Sequence, residues 1–301
     1  MSTQPRQRPD CIIVGAAKAG TTTLHSVLAG HPQVAPSRVK ETRFYSDDEK
    51  FARGAEWYAS EYFRHAAPDA VRMEARPAYL AWSDKVAPRI RQSSKDGRAS
   101  IVVILRDPVA RAYSDYCHRI RLGHEFRSFA EAIAREDELL RANWDELSRS
   151  GNGRHGYVRA SSYASRLRPF VEQFGPGQMH VLLQDDLRPE RFEQTISQLL
   201  AFLQVDPAVA LTPERLNAPT RGRLPGLARA YRLLKKTGAR TVYTTLVPKA
   251  ARQSVLQFLF AEASYPPLDP ACAQQLRVRL AEEVRATQDL IQRDLSHWLP
   301  T

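Results

Sequence analysis

Residues 11–23 read Cys-Ile-Ile-Val-Gly-Ala-Ala-Lys-Ala-Gly-Thr-Thr-Thr, and the order of properties along them decides the fold. The apolar run Cys11 to Val14 ends at Gly15 and has the unbroken hydrophobic character of a parallel strand buried on both faces. Thr21 to Leu28 follows with helix-compatible spacing and stops near Gly30. Between them, Gly15 to Gly20 is a turn of tiny residues that contains one lysine, Lys18. A small-residue loop opening a helix lets backbone N–H groups approach an anion, and the helix dipole favours negative charge there. An ordinary strand–helix turn also suits glycine and alanine, but gives no reason for the lysine. The stretch predicts a phosphate or sulfate site beyond the first strand.

Outward from this unit, strands and helices alternate. Val71–Glu74 is a short strand candidate, and Ile101–Leu105 (IVVIL) is the strongest, bounded by Ser100 and Arg106. Pro108 suits the first turn of a helix reaching about Arg121. Arg127 to Ser148 reads as helix, Tyr163 to Phe174 as another stopped by Gly175-Pro176-Gly177, and Met179–Leu183 as a strand. Phe192, Ile196, Leu199, Leu200 and Leu203 share one helical face, as do Leu276, Leu280, Val284 and Ile291. Thr212–Gly226 carries three prolines and two glycines and reads as a loop. The alternation predicts an α/β protein: a P-loop-like three-layer α/β/α arrangement with a central parallel sheet and a helical C-terminal part. The 301 residues fit one domain, 1–301, with residues 1–10 as a flexible N-terminus. Ligands of such sheets bind beyond the carboxyl ends of the strands, which directs the search to the residues after Val14, Glu74 and Leu105.

Composition narrows the class. Lys and Arg number 44 against 33 Asp and Glu, a formal charge of +11, which suits an anionic ligand. The basic residues are scattered and form no nucleic-acid motif, so no nucleic-acid partner is expected. Cys11, Cys117 and Cys272 are odd in number and lack CxxC spacing; they predict neither a disulfide framework nor a metal site, and a reducing, cytoplasmic location. No run approaches the ~20 apolar residues of a membrane span. The polar start MSTQPRQRPD reads as neither a secretory signal nor an anchor.

The loop departs from the Walker A pattern GxxxxGK[ST]. Gly15 and Gly20 keep the spacing, but Thr21 stands where the lysine belongs, and the lysine has moved to position 18. Lys18-Ala19-Gly20-Thr21-Thr22 instead resembles the 5′-phosphosulfate loop of sulfotransferases that use 3′-phosphoadenosine 5′-phosphosulfate (PAPS). The stretch Ile101–Ser114 resembles their 3′-phosphate motif, with Arg106 closing the strand and Ser114 eight residues later. The likeness is nearest to the glycosaminoglycan-modifying branch, including heparan sulfate sulfotransferases. It extends over His31-Pro32, Glu41-Thr42-Arg43-Phe44-Tyr45, Gly54-Ala55-Glu56-Trp57-Tyr58 and Glu74-Ala75-Arg76-Pro77-Ala78-Tyr79. It is dense to about residue 120, then resumes at Tyr163, at Phe170 and Phe174, and at Arg221-Gly222-Arg223.

The resemblance implies an enzyme with PAPS as co-substrate, adenosine 3′,5′-bisphosphate as product and no metal. The acceptor it implies is a carbohydrate or small metabolite, receiving the sulfuryl group on a hydroxyl or an amine. Lys18 would contact the bridging oxygen and the sulfonate, and Ala19, Gly20, Thr21, Thr22 and Thr23 the 5′-phosphate. Arg106 and Ser114 would grip the 3′-phosphate and Tyr163 the adenine, while Arg221, Gly222 and Arg223 would close over the nucleotide within a covering loop, residues 212–226. Glu41 matches the general base of heparan-type enzymes, Lys40 beside it is placed to adjust its acidity, and Glu74 is the runner-up base. Trp57, Tyr58, Tyr62 and Phe63 suit either an acceptor cleft or core packing. One departure bears on the acceptor: several heparan enzymes carry a lysine after the second glutamate, where this chain has Ala75 and then Arg76. Two alternatives stand beside this reading, a P-loop nucleotide kinase and a non-catalytic anion- or nucleic-acid-binding module.

Overall fold

A computed structural model describes residues 10–122, 124–141, 156–212 and 267–300. Among these, the chain divides into two compact units. The first comprises the described residues up to Arg111, 158–212 and those from Leu276 onward; the second comprises the described parts of 112–157 and 267–275.

The first unit is built on a five-stranded sheet in the order β2-β3-β1-β4-β5, with every neighbouring pair parallel. The strands are β1 (Asp10–Gly15), β2 (Val34–Pro36), β3 (Val71–Ala75), β4 (Ala99–Leu105) and β5 (Met179–Leu183). All seven residues of β4 are buried, which is why its sequence shows no polar alternation. The flanking helices are α1 (Thr21–Ala29), α2 (Asp48–Ala52), α3 (Gly54–Phe63), α4 (Ser83–Ser93), the start of α5 (Pro108–Leu122), α7 (Tyr163–Phe174), α8 (Pro189–Phe202) and most of α9 (Pro270–Ile291). The α/β expectation is met. The apolar faces read from the sequence point inward: Phe192, Ile196, Leu199 and Leu200 of α8 are buried, as are Leu276, Leu280 and Val284 of α9. All three cysteines are free thiols.

Several elements were not visible in the sequence. β2 is three residues long, too short for a periodic signal. Helix α4 contains Pro88, which the reading of proline as a helix breaker hides. Asp10, expected in a flexible tail, opens β1, where Arg72 of β3 grips its carboxylate through two hydrogen bonds of 2.8 Å. Residues 1–9, most of the predicted covering loop and the end of the helix predicted over 127–148 lie outside the described residues. Among the described residues no helix is long and apolar enough to cross a membrane.

The chain lays β2 and β3 on one side of β1, then crosses to β4 and β5 on the other. The strand order therefore reverses between β1 and β4, and in open parallel sheets the ligand crevice forms at that reversal. The outer strand β5 carries a polar plug. Arg293 donates to both carboxylate oxygens of Asp186, at 2.7 and 3.0 Å, and to the Val181 carbonyl at 3.5 Å. Asp186 in turn accepts from the Leu183 N–H at 2.7 Å.

The second unit contains the remainder of α5 and helix α6 (Phe129–Arg141). Tyr157 makes T-shaped contacts with Tyr116 and Phe129 there, and those two rings are tilted against each other, with centroids 5.0–6.1 Å apart. The Arg119 guanidinium lies 4.9 Å from the Tyr157 ring centroid.

Candidate active site

The loop after β1 is shaped by residue size. A Cβ on Gly15 would stand 2.6 Å from Leu80 Cβ, so only glycine fits. Gly20 has φ 109°, a conformation side chains rarely adopt, and it caps α1 without supplying any side-chain acceptor. The first-turn N–H groups of α1, at Thr21, Thr22 and Thr23, have no intrahelical carbonyl to bond. Lys18 adopts a left-handed φ of 71°. The Ala16 N–H donates to the Ile104 carbonyl at 2.7 Å, fastening the loop to β4.

The loop carbonyls are turned onto arginines. Arg106 Nη1 donates to the Lys18 carbonyl at 3.2 Å, and Arg111 Nη1 to the Ala17 carbonyl at 3.5 Å. Arg111 is 1% exposed and is held by Ser161 Oγ at 2.7 Å, whose own hydroxyl donates to the Pro108 carbonyl. Two guanidinium groups thus sit against a loop whose helix end already carries positive partial charge. Nothing in the sequence reading singled out Arg111. The available signal was an arginine in the opening turn of a helix whose neighbours, Val109 and Ala112, are apolar and buried.

Arg106 is fixed from behind: the buried Tyr163 hydroxyl donates to its carbonyl at 2.8 Å. Tyr163 is thereby a core residue bracing the end of β4. Asp107 caps α5 through the Ala110 N–H at 2.7 Å and pairs with Arg277 at 2.9 Å. Ser114 lies half-buried two turns along α5, in the second unit. Arg221, Gly222 and Arg223 lie outside the described residues.

Beyond the carboxyl ends of β2 and β3 stands the second group of predicted residues. Glu41 is exposed, with φ 65°, and its carboxylate lies 3.5 Å from Arg76 Nη1. The cation beside it thus comes from position 76, since position 75 is alanine. Lys40 donates to Thr22 Oγ1 at 2.7 Å and so links this segment to α1. Burial pulls the Lys40 ammonium below its ordinary pKa, while the Glu41 charge opposes that shift. His25, nearby on α1, is lowered to about 4 by burial and then by Lys40, so it is neutral at pH 7.

Glu74 has a different environment. It is fully buried, and both carboxylate oxygens accept hydrogen bonds: Oε1 from Thr42 Oγ1 and from the Tyr79 hydroxyl (2.7 Å), Oε2 from the Tyr58 hydroxyl (2.6 Å). Burial pushes its pKa up; the three hydroxyl donors and Arg76 pull against that. No acceptor in solution reaches it in this arrangement. Tyr58, Tyr62 and Phe63 are also buried, which assigns them to packing; Trp57 is half-buried beneath the Arg53 guanidinium, 3.9 Å from the ring centroid. His31 is a structural tie, accepting from the Gln33 N–H and bonded to the Asp206 carbonyl. Among the described residues no three His, Cys, Asp or Glu side chains gather as a metal site.

Residues 8–218 match the model of the sulfotransferase domain family. The chain belongs to that family. Its curated relatives include heparan sulfate glucosamine 3-O-sulfotransferase 5 of Mus musculus, 30% identical over 217 residues that cover 72% of this chain and 59% of the relative. The Caenorhabditis elegans bifunctional heparan sulfate N-deacetylase/N-sulfotransferase 1 is 29% identical over 186 residues, covering 60% of this chain and 20% of the relative. This sulfotransferase-family chain spans about three fifths of the length of the first of these. A solved sulfotransferase from Alicyclobacillus acidocaldarius superposes with a TM-score of 0.67 at 24% identity, covering 97% of this chain and 98% of that one, and establishes a shared fold.

Proposed function

We propose that the chain transfers a sulfuryl group from PAPS to a hydroxyl or amine of a carbohydrate or small-metabolite acceptor. The observation that carries the reading is the pair of cationic strand ends at the reversal of the sheet. The Lys18 loop follows β1, Arg106 closes β4, and the guanidinium of one is bonded to the backbone of the other. Such a pair suits a nucleotide with phosphates at both ends. In the proposed reaction the bond between sulfur and the bridging phosphate oxygen breaks as the acceptor's O–S or N–S bond forms. Lys18 and the first-turn amides of α1 stabilise the negative charge that grows on the leaving phosphate. Glu41 takes the acceptor's proton. Its exposure supports this assignment over Glu74, whose oxygens are all engaged inside the core. Ser114 and residues 221–223 complete the proposed nucleotide contacts, while Tyr163 supports Arg106 from the core.

Calorimetry with adenosine 3′,5′-bisphosphate, set against ATP plus Mg²⁺, tests the donor half. Metal-free binding of the bisphosphate is expected; binding of ATP alone would favour a kinase. A PAPS assay labelled in sulfur across carbohydrate and metabolite acceptors tests the transfer itself.

A further inference from the structure

We propose that Glu74 is a positioning residue, which through Thr42 fixes the backbone from which Glu41 is presented. The proposal rests on the reading of Glu41 as the base. Thr42 is flanked by two residues in the left-handed region, Glu41 at φ 65° and Arg43 at φ 67°. Non-glycine residues persist in that region only where the surroundings over-determine them. Thr42 supplies the constraint. Its hydroxyl donates to Glu74 Oε1 and accepts from the Phe44 N–H at 3.1 Å. Its carbonyl accepts from Lys50 Nζ at 2.6 Å, and the same ammonium donates to the Tyr62 hydroxyl at 3.1 Å. The residue between the two left-handed positions is therefore held by side chain and backbone at once.

Glu74 is the hub to which this constraint is tied. It gathers donors from three directions: Thr42 from the segment after β2, Tyr58 from α3, and Tyr79 from the turn after β3. A buried carboxylate is a costly way to fill a core, since an apolar side chain of similar volume packs there without desolvating a charge. Three convergent hydroxyls fix position in a way apolar contact does not. The residues just past the strand add the other half of the device. Glu74 is buried and holds Thr42, while Arg76, immediately after β3 ends, lies against the Glu41 carboxylate. The end of β3 thus acts on the Glu41 segment from within the core and at the surface.

The test compares Thr42→Val, Thr42→Ser and Glu41→Gln in the full chain by crystal structure and by steady-state sulfuryl transfer. Thr42→Val keeps the shape and removes the hydroxyl; Thr42→Ser keeps the hydroxyl. Thr42→Val is expected to release Glu41 from its left-handed φ. It should lower kcat by about 10²-fold, the scale of a small misplacement of a reacting group, with KM for PAPS unchanged. Thr42→Ser should retain both geometry and rate. If Thr42→Val does not fold, the smaller Thr42→Ala, which also lacks the hydroxyl, is read by the same criteria. An unmoved Glu41 backbone in the Thr42→Val structure overturns the proposal whatever the activity. So does a wild-type kcat for Thr42→Val when Glu41→Gln is impaired. Wild-type turnover by Glu41→Gln instead overturns Glu41 as base, and the crystal structure alone then decides whether Glu74 holds the segment.

Discussion

Residues 15–20 and residues 37–43 both leave carboxyl ends of one sheet, after β1 and after β2, yet they hold charged groups in place by opposite means. The first relies on backbone. Glycines stand where a side chain clashes or cannot adopt the required φ, alanines lie between, and the carbonyls are fastened by Arg106 and Arg111. The second relies on side chains, with Thr42, Tyr58 and Tyr79 converging on Glu74, and Lys50 on the Thr42 carbonyl. A backbone-built site is sensitive to added bulk, and a side-chain-built site to the loss of a polar atom. This contrast matches what each has to do. An anion is met by amides that point the same way whatever lies beside them, whereas one proton acceptor must be aimed.

The largest expected effect tests whether the first region needs any side chain. Lys18→Ala should reduce kcat by about 10²–10³-fold, the usual loss for one preorganised charge stabiliser. Near-normal turnover in the PAPS assay would remove Lys18 from the mechanism and leave a site made of backbone alone. Gly15→Ala comes next and probes bulk. The new methyl meets Leu80, and thermal unfolding should show a loss of about 1–3 kcal/mol, typical of overpacking. An unchanged melting temperature would mean that the loop yields, and the contrast between the regions would weaken. Tyr58→Phe is the matching probe of the second region, since it adds no bulk and removes one donor from Glu74. It should cost about 1–3 kcal/mol, the range for a buried group left without its partner. A neutral result would mean that the remaining two donors suffice.

The smallest effect is expected at the Asp186–Arg293 pair. Asp186 is raised by burial but lowered more by Arg293, the Leu183 N–H and Arg191, so its folded pKa lies below the ordinary carboxylate value. A depressed folded pKa contributes stability above the unfolded pKa, about 3.9, and that stability is lost as pH falls through the folded value. Arg293→Gln should therefore lower the melting temperature at pH 7 by roughly 2–4 °C, the shift of a ~1 kcal/mol change in a protein of this size. The difference from wild type should shrink on acidification below that range. A gap that stays constant with pH would assign the loss to packing.

The same contrast explains what the sequence revealed. The loop after β1 was legible because its constraints are local: glycine, alanine and lysine lie in one window, and the strand and helix on either side announce it. The strand ends at Leu105 and Leu183, and the whole of α7, were legible for the same reason. Glu74 was visible as a glutamate after a strand, but not as a hub, because its partners lie 32, 16 and 5 residues away. No periodicity links positions so separated. Arg111 was missed because its partners, Ala17 and Ser161, come from segments that only folding brings together. The link between Lys40 and Thr22 belongs to the same class.

The plug on β5 has a consequence for how molecules of this protein behave when crowded. The Leu183 amide and the Val181 carbonyl lie two places apart, on one side of the strand, and both are already occupied by Asp186 and Arg293. A strand from another molecule that slid alongside would meet a pair of charges in place of a row of vacant donors and acceptors. Sheet-to-sheet templating, the first step of fibre growth, is thereby denied a foothold at that margin.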